Sequence, residues 1–359
     1  MAKRGLTPGG NMARALAGVL LFFIFIVGMC MVLTDFENAQ EYTQVQEGRA
    51  KDELMTDYAQ VTDKIISNNA EENGRNDTSS DQDSSAVFAE PDLSVCVDKH
   101  VYLLLLVFSP PENSGIRQAI RKSWGNQTNT DHSYLTVFVV SSASVTEESS
   151  LHKEITEKKD VLLGNFPDSP QQTTEKFVLA LKWLARIEHK CRPWFILKSV
   201  DGIFHNIRLL MKKLEKSIQQ PYNVYRGKMV RNDKPNRNRK HPNHVPVAKY
   251  PKERFPDLIQ GPLYLFSFDV ILRLNAAVRK VHRIAMEDVY VGLLAEKAGI
   301  LPYNDDSFSL MKKTSNECIN VKLLFVYDVS PNDHNKLFHL VKEEQALHRC
   351  QTLVEKEGL

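Results

Sequence analysis

Apolar residues come in two rhythms along this chain, and the pattern changes near residue 96. Downstream of that point, VYLLLLVFS (Val101 to Ser109) is an unbroken apolar run, which predicts a central strand covered on both faces. SGIRQAIRKSW (Ser114 to Trp124) follows with helical spacing and Ser114 as a candidate cap. The alternation then repeats. LTVFVVSS (135–142), DVLLGNF (160–166) and WFILKSV (194–200) read as strands, while VTEESSLHKEITEKK (145–159), TTEKFVLALKWLARI (173–187) and NIRLLMKKLEKSI (206–218) read as helices. Strands alternating with helices predict an α/β sheet with mostly parallel strands, whose ligands sit beyond the carboxyl ends of the strands. Ser109–Trp124 and Ser199–Asn206 fall at such ends. The second half is less regular. It offers strands at Tyr222–Val230 and Pro262–Ser267, a basic loop between them, and helices at Phe268–Lys280 and Glu287–Ile300.

Upstream, the rhythm differs. Ala15 to Leu33 holds about nineteen residues without a charge, enough to cross a hydrocarbon core. Lys3, Arg4 and Arg14 precede it and Asp35, Glu37 and Glu41 follow, so the positive-inside rule leaves residues 1–14 cytosolic and the remainder luminal. No A-x-A-like cleavage site ends the run, which favours a retained signal anchor over 15–33. The segment 34–95 is polar and acidic, too poor in apolar residues to offset the entropy of ordering, and reads as a flexible stem. The folded domain then covers 96–359.

Charge and cysteines refine this picture. Asp35 to Asp92 carries fifteen acids against four bases, so a nearly neutral total of +2 conceals a basic folded domain suited to anionic ligands. A luminal address makes nucleic acid an improbable partner for the loop RNDKPNRNRKHPNHVPVAK; an acidic glycan matches better. His241 and His244 in that loop lack a third metal ligand. Cys96, Cys191, Cys318 and Cys350 fall on the oxidising side and allow three pairings. Asn76 and Asn126 head glycosylation sequons.

Three places could carry chemistry. Arg117, Arg121 and Lys122 stand at a strand-to-helix junction that favours anions, although a solvated helix face would look the same. Glu287-Asp288 opens a helix, where capping explains a carboxylate as readily as general-base work does. Asp201-Gly202 is by default a turn pair.

Taken together the segments resemble one family. RQAIRKSWG (Arg117 to Gly125) looks like the Arg-x-x-Ile-Arg-x-Ser/Thr-Trp motif of the β-1,3-galactosyltransferase family, glycosyltransferase family 31, which includes β-1,3-galactosyl- and β-1,3-N-acetylglucosaminyltransferases. EDVYVG (Glu287 to Gly292) matches its Glu-Asp-Val-Tyr-x-Gly motif. Asp168, Ser169, Thr174 and Lys176 are retained in a third segment, and FPDLIQGPLYLFS resembles the family's Tyr-Pro-Pro-Tyr-Cys-Ser-Gly-x-Gly-Tyr-x-x-Ser. FILKSVDGIFHN stands where the family has a strand and then Lys-Thr-Asp-Asp-Asp-Val-Phe-x-Asn, so Val200 and Gly202 replace the two outer acids. In two other places the chain departs as well. Ile259 replaces the cysteine and Gly261-Pro262-Leu263 the Gly-x-Gly, while Pro170 to Thr173 stand in for Tyr-Arg/Lys-Asn-Leu.

The resemblance implies a GT-A-type fold, Rossmann-like with a mixed, mostly parallel sheet, in a Golgi single-pass type II membrane protein. It implies a UDP-sugar donor, Mn²⁺, and inverting β-1,3 transfer of galactose or N-acetylglucosamine to a glycan on a glycoprotein or glycolipid. Carried over by position, Asp288 is the catalytic base. Arg117, Arg121, Lys176, Asp201 and Glu287 bind or support the donor, and Asp201 alone remains for the metal. The alternative is a catalytically inactive member that binds a glycan or a protein partner in the lumen.

Overall fold

The computed structural model describes residues 87–98, 100–125, 133–218 and 220–343. The predicted anchor at Ala15–Leu33, most of the stem, and the sequons at Asn76 and Asn126 lie outside the described residues. Among the described residues no helix is long and apolar enough to cross a membrane.

A mixed eight-stranded sheet carries the domain, in the order β1 (Val87–Ala89), β4 (Val161–Gly164), β3 (Tyr134–Ser141), β2 (Leu103–Phe108), β5 (Phe195–Val200), β10 (Tyr264–Ser267), β7 (Tyr225–Gly227) and β11 (Tyr303–Asn304). The four strands β4, β3, β2 and β5 are parallel, as the alternating pattern predicts. β10 runs antiparallel to both of its neighbours, and β1 runs antiparallel to β4. A three-stranded sheet joins β12 (Met311–Lys312), β13 (Phe325–Tyr327) and β6 (Ile203–His205), and β8 (Met229–Val230) pairs with β9 (Leu258–Ile259). The nine α-helices described are α1 (Val95–Asp98), α2 (Ser114–Lys122), α3 (Ser150–Lys158), α4 (Thr173–Arg186), α5 (Ile207–Ser217), α6 (Phe268–Ala277), α7 (Glu287–Lys297), α8 (Glu317–Asn320) and α9 (Pro331–Lys342).

The unbroken apolar runs have a direct cause. Every residue of β2 and β3 is buried, because helices cover both faces of the parallel region. Leu103, Leu105 and Val107 pack in one core cluster with Ile120 of α2, Leu210 of α5 and Leu337 of α9. The alternate positions Leu104 and Leu106, equally buried, face the opposite side by strand alternation. There α4, α6 and α7 pack on one another. Lys198 shares that second side, one position along from Leu197 of the first cluster. The chain winds outward through β2, β3 and β4, then returns to place β5 on the other side of β2. The strand order therefore reverses between β2 and β5, where open α/β sheets hold their ligands.

Two details differ from the sequence reading, and a third was left open by it. Residue 113, not Ser114, precedes α2, and it makes no side-chain cap; the Asn113 amide is drawn instead to Asp201. The single strand expected over Tyr222–Val230 breaks into β7 and β8 at the Gly227 junction. A Cβ there would stand 2.3 Å from Ile259 Cγ2 and 2.9 Å from the Leu263 carbonyl, so the close crossing of β9 requires glycine. The cysteine pairing left open by sequence is Cys96–Cys191, and Cys318 is also disulfide-bonded.

Candidate active site at the strand switch point

The reversal point is occupied by Asp201. β5 ends at Val200, the Asp201–Gly202 turn follows, and β6 carries the chain out of the main sheet into the three-stranded one. The Asp201 carboxylate is buried and accepts hydrogen bonds at Oδ2 from Ser109 Oγ (2.7 Å) and Asn113 Nδ2 (3.0 Å), both just past the end of β2. Burial raises its pKa, against the pull of these two donors and of Arg117 and Lys176. Its backbone carbonyl is held from the other side: His334 Nε2 lies 3.0 Å away, while Nδ1 of the same ring accepts the indole N–H of Trp124 (2.9 Å). With Nδ1 accepting, the proton sits on Nε2 and is donated to Asp201. Burial depresses the His334 pKa to about 4, which keeps this arrangement neutral.

Arg117 is fully buried beneath that turn. Its guanidinium grips Glu154 through Nε (2.9 Å) and Nη2 (2.7 Å), donates to Ser109 Oγ (2.8 Å), and reaches the carbonyls of Pro110 (2.6 Å) and Pro111 (3.0 Å). All three nitrogens are thus engaged, and the side chain braces the loop after β2 instead of facing a ligand phosphate. Arg121 is likewise committed, bidentate to Asp160 (2.7 and 2.9 Å) and paired with Glu154 (2.7 Å). Asp160 precedes β4, three strands across the sheet from β5, so Arg121 stands to one side of the switch point. Carried over as binding or supporting the donor, the two arginines are engaged with protein partners, Arg117 against the loop after β2 and Arg121 against Asp160 and Glu154.

Lys176 does reach the site. From the first turn of α4 its Nζ lies 2.6 Å from Asp168 Oδ1 and 3.3 Å from the Ser109 carbonyl. Burial lowers its pKa, opposed by Asp168, Asp201 and Glu112. An ammonium has three donors, and these contacts use two.

A second corner lies at the start of α7. Glu287 is buried and its carboxylate meets Lys198 Nζ of β5 at 2.6 Å. Lys198 is itself buried between the rings of Phe108 (4.7 Å) and Tyr264 (5.0 Å). The pair joins the strand end to the helix start and leaves Glu287 facing inward. Burial raises the Glu287 pKa against the pull of Lys198, and raises that of Tyr264 well above its ordinary value. Asp288, the next residue, is half-buried. One of its oxygens accepts the Val289 N–H (2.9 Å), and a Cβ added at Gly261 of the cis Gly261–Pro262 turn would stand 3.8 Å from its Cβ. Gly292 of the same motif is needed for packing, since a Cβ would stand 2.7 Å from Leu258 Cβ.

Mn²⁺ does not fit the residues present. Among the described residues no group of three or more His, Cys, Asp or Glu side chains could hold a metal ion. Val200 and Gly202 bring no oxygen ligand, and Asp201 spends its Oδ2 on Ser109 and Asn113. Asp201, carried over by resemblance as the one acid left for the metal, is a lone acid in a hydrogen-bonded corner.

Ser109, Asn113 and His334 were not singled out from sequence. Ser109 ends an apolar strand at a site-forming position, a signal that could have been read. His334 gave none, because it lies 133 residues from Asp201 along the chain.

The sequence profile of the Galactosyltransferase family matches residues 116–306, a span that takes in Arg117, Lys176, Asp201 and Glu287–Asp288. Human beta-1,3-galactosyltransferase 9 is 31% identical over 218 residues, covering 60% of this chain and 58% of that protein. Mouse beta-1,3-galactosyltransferase 1 is 27% identical over 260 residues, covering 71% and 78%. Human beta-1,3-galactosyltransferase 2 is 26% identical over 281 residues, covering 72% and 65%. About half of the chain, with Lys176, Asp201, Lys198 and Glu287–Asp288, falls within one family profile, and the chain belongs to that galactosyltransferase family.

Proposed function

We propose that this protein transfers galactose from a UDP-sugar to a hydroxyl of a glycan acceptor in β-1,3 linkage, with inversion and without a divalent metal. The observation that carries this reading is the second corner: the Lys198–Glu287 pair fixes the start of α7 and leaves Asp288 half-buried at the Gly261 turn. Asp288 takes the acceptor hydroxyl proton while that oxygen bonds to the anomeric carbon from the face opposite UDP. The bond from that carbon to the diphosphate oxygen breaks, and UDP leaves with the electron pair. The charge it gains needs a positive neighbour more than it needs a metal as such. Lys176, buried beside Asp201 with a donor left, supplies one. The uncharged Ala15–Leu33 run supports an anchored, luminal placement in the Golgi.

A second reading, a non-catalytic glycan- or partner-binding member, is favoured by one specific observation, the absence of carboxylates at Val200 and Gly202. Calorimetry separates the two. The transferase reading expects UDP and UDP-galactose to bind the purified chain equally well with Mn²⁺ and with a chelator, and galactose to reach a glycan acceptor under both conditions. Absence of UDP and UDP-galactose binding in both conditions would sink it. Donor binding without transfer to any member of an acceptor panel would leave the second reading standing.

A further inference from the structure

Met286, the residue before α7, makes no side-chain cap on the helix that carries Asp288, and residues 281–286 leading into it form neither helix nor strand. Asp288 accepts from the N–H of the next residue, which ties its side chain to the helix start but not the helix start to the domain. A helix start of this kind frays unless tertiary contacts hold it. Lys198 supplies one such contact through Glu287. The first turn of α4 supplies others. Thr174 Oγ1 donates to the Ile284 carbonyl (2.8 Å), with both residues buried, and Glu175 pairs with Arg283.

The same turn reaches the other corner. Lys176 meets Asp168 and the Ser109 carbonyl beside Asp201. Successive helix residues turn by about 100°, so Thr174 and Lys176 leave opposite sides of the turn. One side therefore holds the segment before the base, and the other holds the cation. The turn is itself fixed where it begins. Residues 170–172 form a 3₁₀ turn ahead of it, and Thr173 Oγ1 donates to the Pro170 carbonyl (2.7 Å).

We infer that Thr174 is a positioning residue for Asp288, and that the first turn of α4 is a strut setting the distance between that base and Lys176. The inference rests on the transferase reading for the work of the two ends, and on the hydrogen bonds alone for the strut. Ile284 lies four residues before Asp288. Releasing its carbonyl frees the start of α7 to shift, and a misplacement of about 1 Å at a reacting group costs about a hundredfold in rate. Valine in place of Thr174 would keep the shape and remove the donor, leaving a buried carbonyl without it. A hydroxyl that merely satisfied the core would affect every function of the site alike. This one holds the base and makes none of the contacts of Lys176.

The test uses the purified full chain in detergent and two readouts: transfer from UDP-galactose to a glycan acceptor, and amide exchange followed by mass spectrometry. Thr174→Val should lower kcat about ten- to a hundredfold and leave UDP-galactose affinity within about twofold. Thr174→Ser keeps the hydroxyl and should recover at least about a third of the parent kcat. In the exchange arm, Thr174→Val should speed the amides of residues 283–290 at least about tenfold and leave β2 and β3 unchanged. Loss of kcat and donor affinity together, or a serine variant as slow as the valine one, would make Thr174 structural only and overturn the inference. Unchanged exchange over 283–290 overturns it as well. Arg283→Gln breaks only the half-exposed arm and serves if the valine variant fails to fold. It should speed the same amides about two- to fivefold, and no change there overturns the strut. A parent chain that transfers nothing removes the transferase reading, while faster exchange in the valine variant would still keep the strut, so the two can fail separately.

Discussion

The Asp201 corner and the Glu287–Asp288 corner are held by the same means and differ in what they hold. Each pins a strand end with buried charge: Arg117 against Glu154 beneath the first, Lys198 against Glu287 in the second. The second keeps the full acidic pair of its motif. The first has one acid where the motif it resembles has three, and that acid is still held, its carboxylate by Ser109 and Asn113 and its backbone carbonyl by His334. Scaffold and chemistry are therefore separable here. The groups that fix the turn are not the ones that would bind a metal, so the outer acids could be replaced without disturbing the fold.

The sharpest way to break the comparison is at the second corner. Asp288→Asn keeps the shape and the hydrogen bond from Val289 N–H and removes the base. Transfer should fall by about a hundred- to ten-thousandfold. UDP-galactose affinity, read by calorimetry, should remain within about twofold, because Asp288 acts on the acceptor. Undiminished transfer would remove Asp288 from the mechanism.

At the first corner the equivalent blow falls on stability. Arg117→Met strips Glu154, 9% exposed, of a bidentate partner and frees the Pro110 and Pro111 carbonyls. Removing one member of a buried ion pair costs about 3–5 kcal/mol. Arg121 still reaches Glu154, which sets the expectation at the lower end. Urea unfolding measures it, and a loss below about 1 kcal/mol would mean the brace is not under load.

This contrast also marks what the sequence could tell. The parallel strands and their helices were legible because burial on both faces leaves continuous apolar runs, as in Leu103–Phe108. The place of Asp201 was legible for the same reason, since ligands gather where such strands end. The commitment of Arg117 was not. Its partners Glu154 and Ser109 come from separate elements, and only folding shows that no donor is left over. Lys198 lay in a quoted motif, yet its pairing with Glu287 spans 89 positions and crosses from strand to helix. The antiparallel insertion of β10 between β5 and β7 was equally hidden, because a buried run such as Tyr264–Ser267 reads alike in either direction.

If scaffold and chemistry are separable, the lost acids should be restorable. A Cβ on Gly202 would meet nothing within 4 Å, and Val200 is half-buried at the edge of the core cluster, so a carboxylate there gives up some packing and keeps access to water. Val200→Asp with Gly202→Asp should make UDP binding Mn²⁺-dependent, with affinity about tenfold higher with the metal than with a chelator. The unsubstituted chain should show no such difference. A double variant that folds and stays indifferent to Mn²⁺ would show that the frame itself has drifted.

The smallest effect tests how far that frame is under strain. His205 on β6 is fully buried between Trp124 and Phe325, and neither ring nitrogen has a hydrogen-bond partner. Burial, with His334 nearby, lowers its pKa to about 3 from 6.5. The sign follows from which state takes up the proton. Below pH 6.5 the unfolded chain binds a proton that the folded chain refuses, so this stabilisation is whole above that value and drains as pH falls toward 3. The slope approaches about 1.4 kcal/mol per pH unit for one histidine. His205→Leu removes two unsatisfied nitrogens, worth about 1–2 kcal/mol, and loses ring contacts worth about 0.5–1.5 kcal/mol, so at neutral pH the change is small. At lower pH the variant should pull ahead of the parent, because only the parent still carries this titration; His334 contributes its own slope to both and cancels in the difference. Urea midpoints across pH 7 to 5 read the gap, and a gap that stays constant would mean that His205 finds a proton partner in the folded protein.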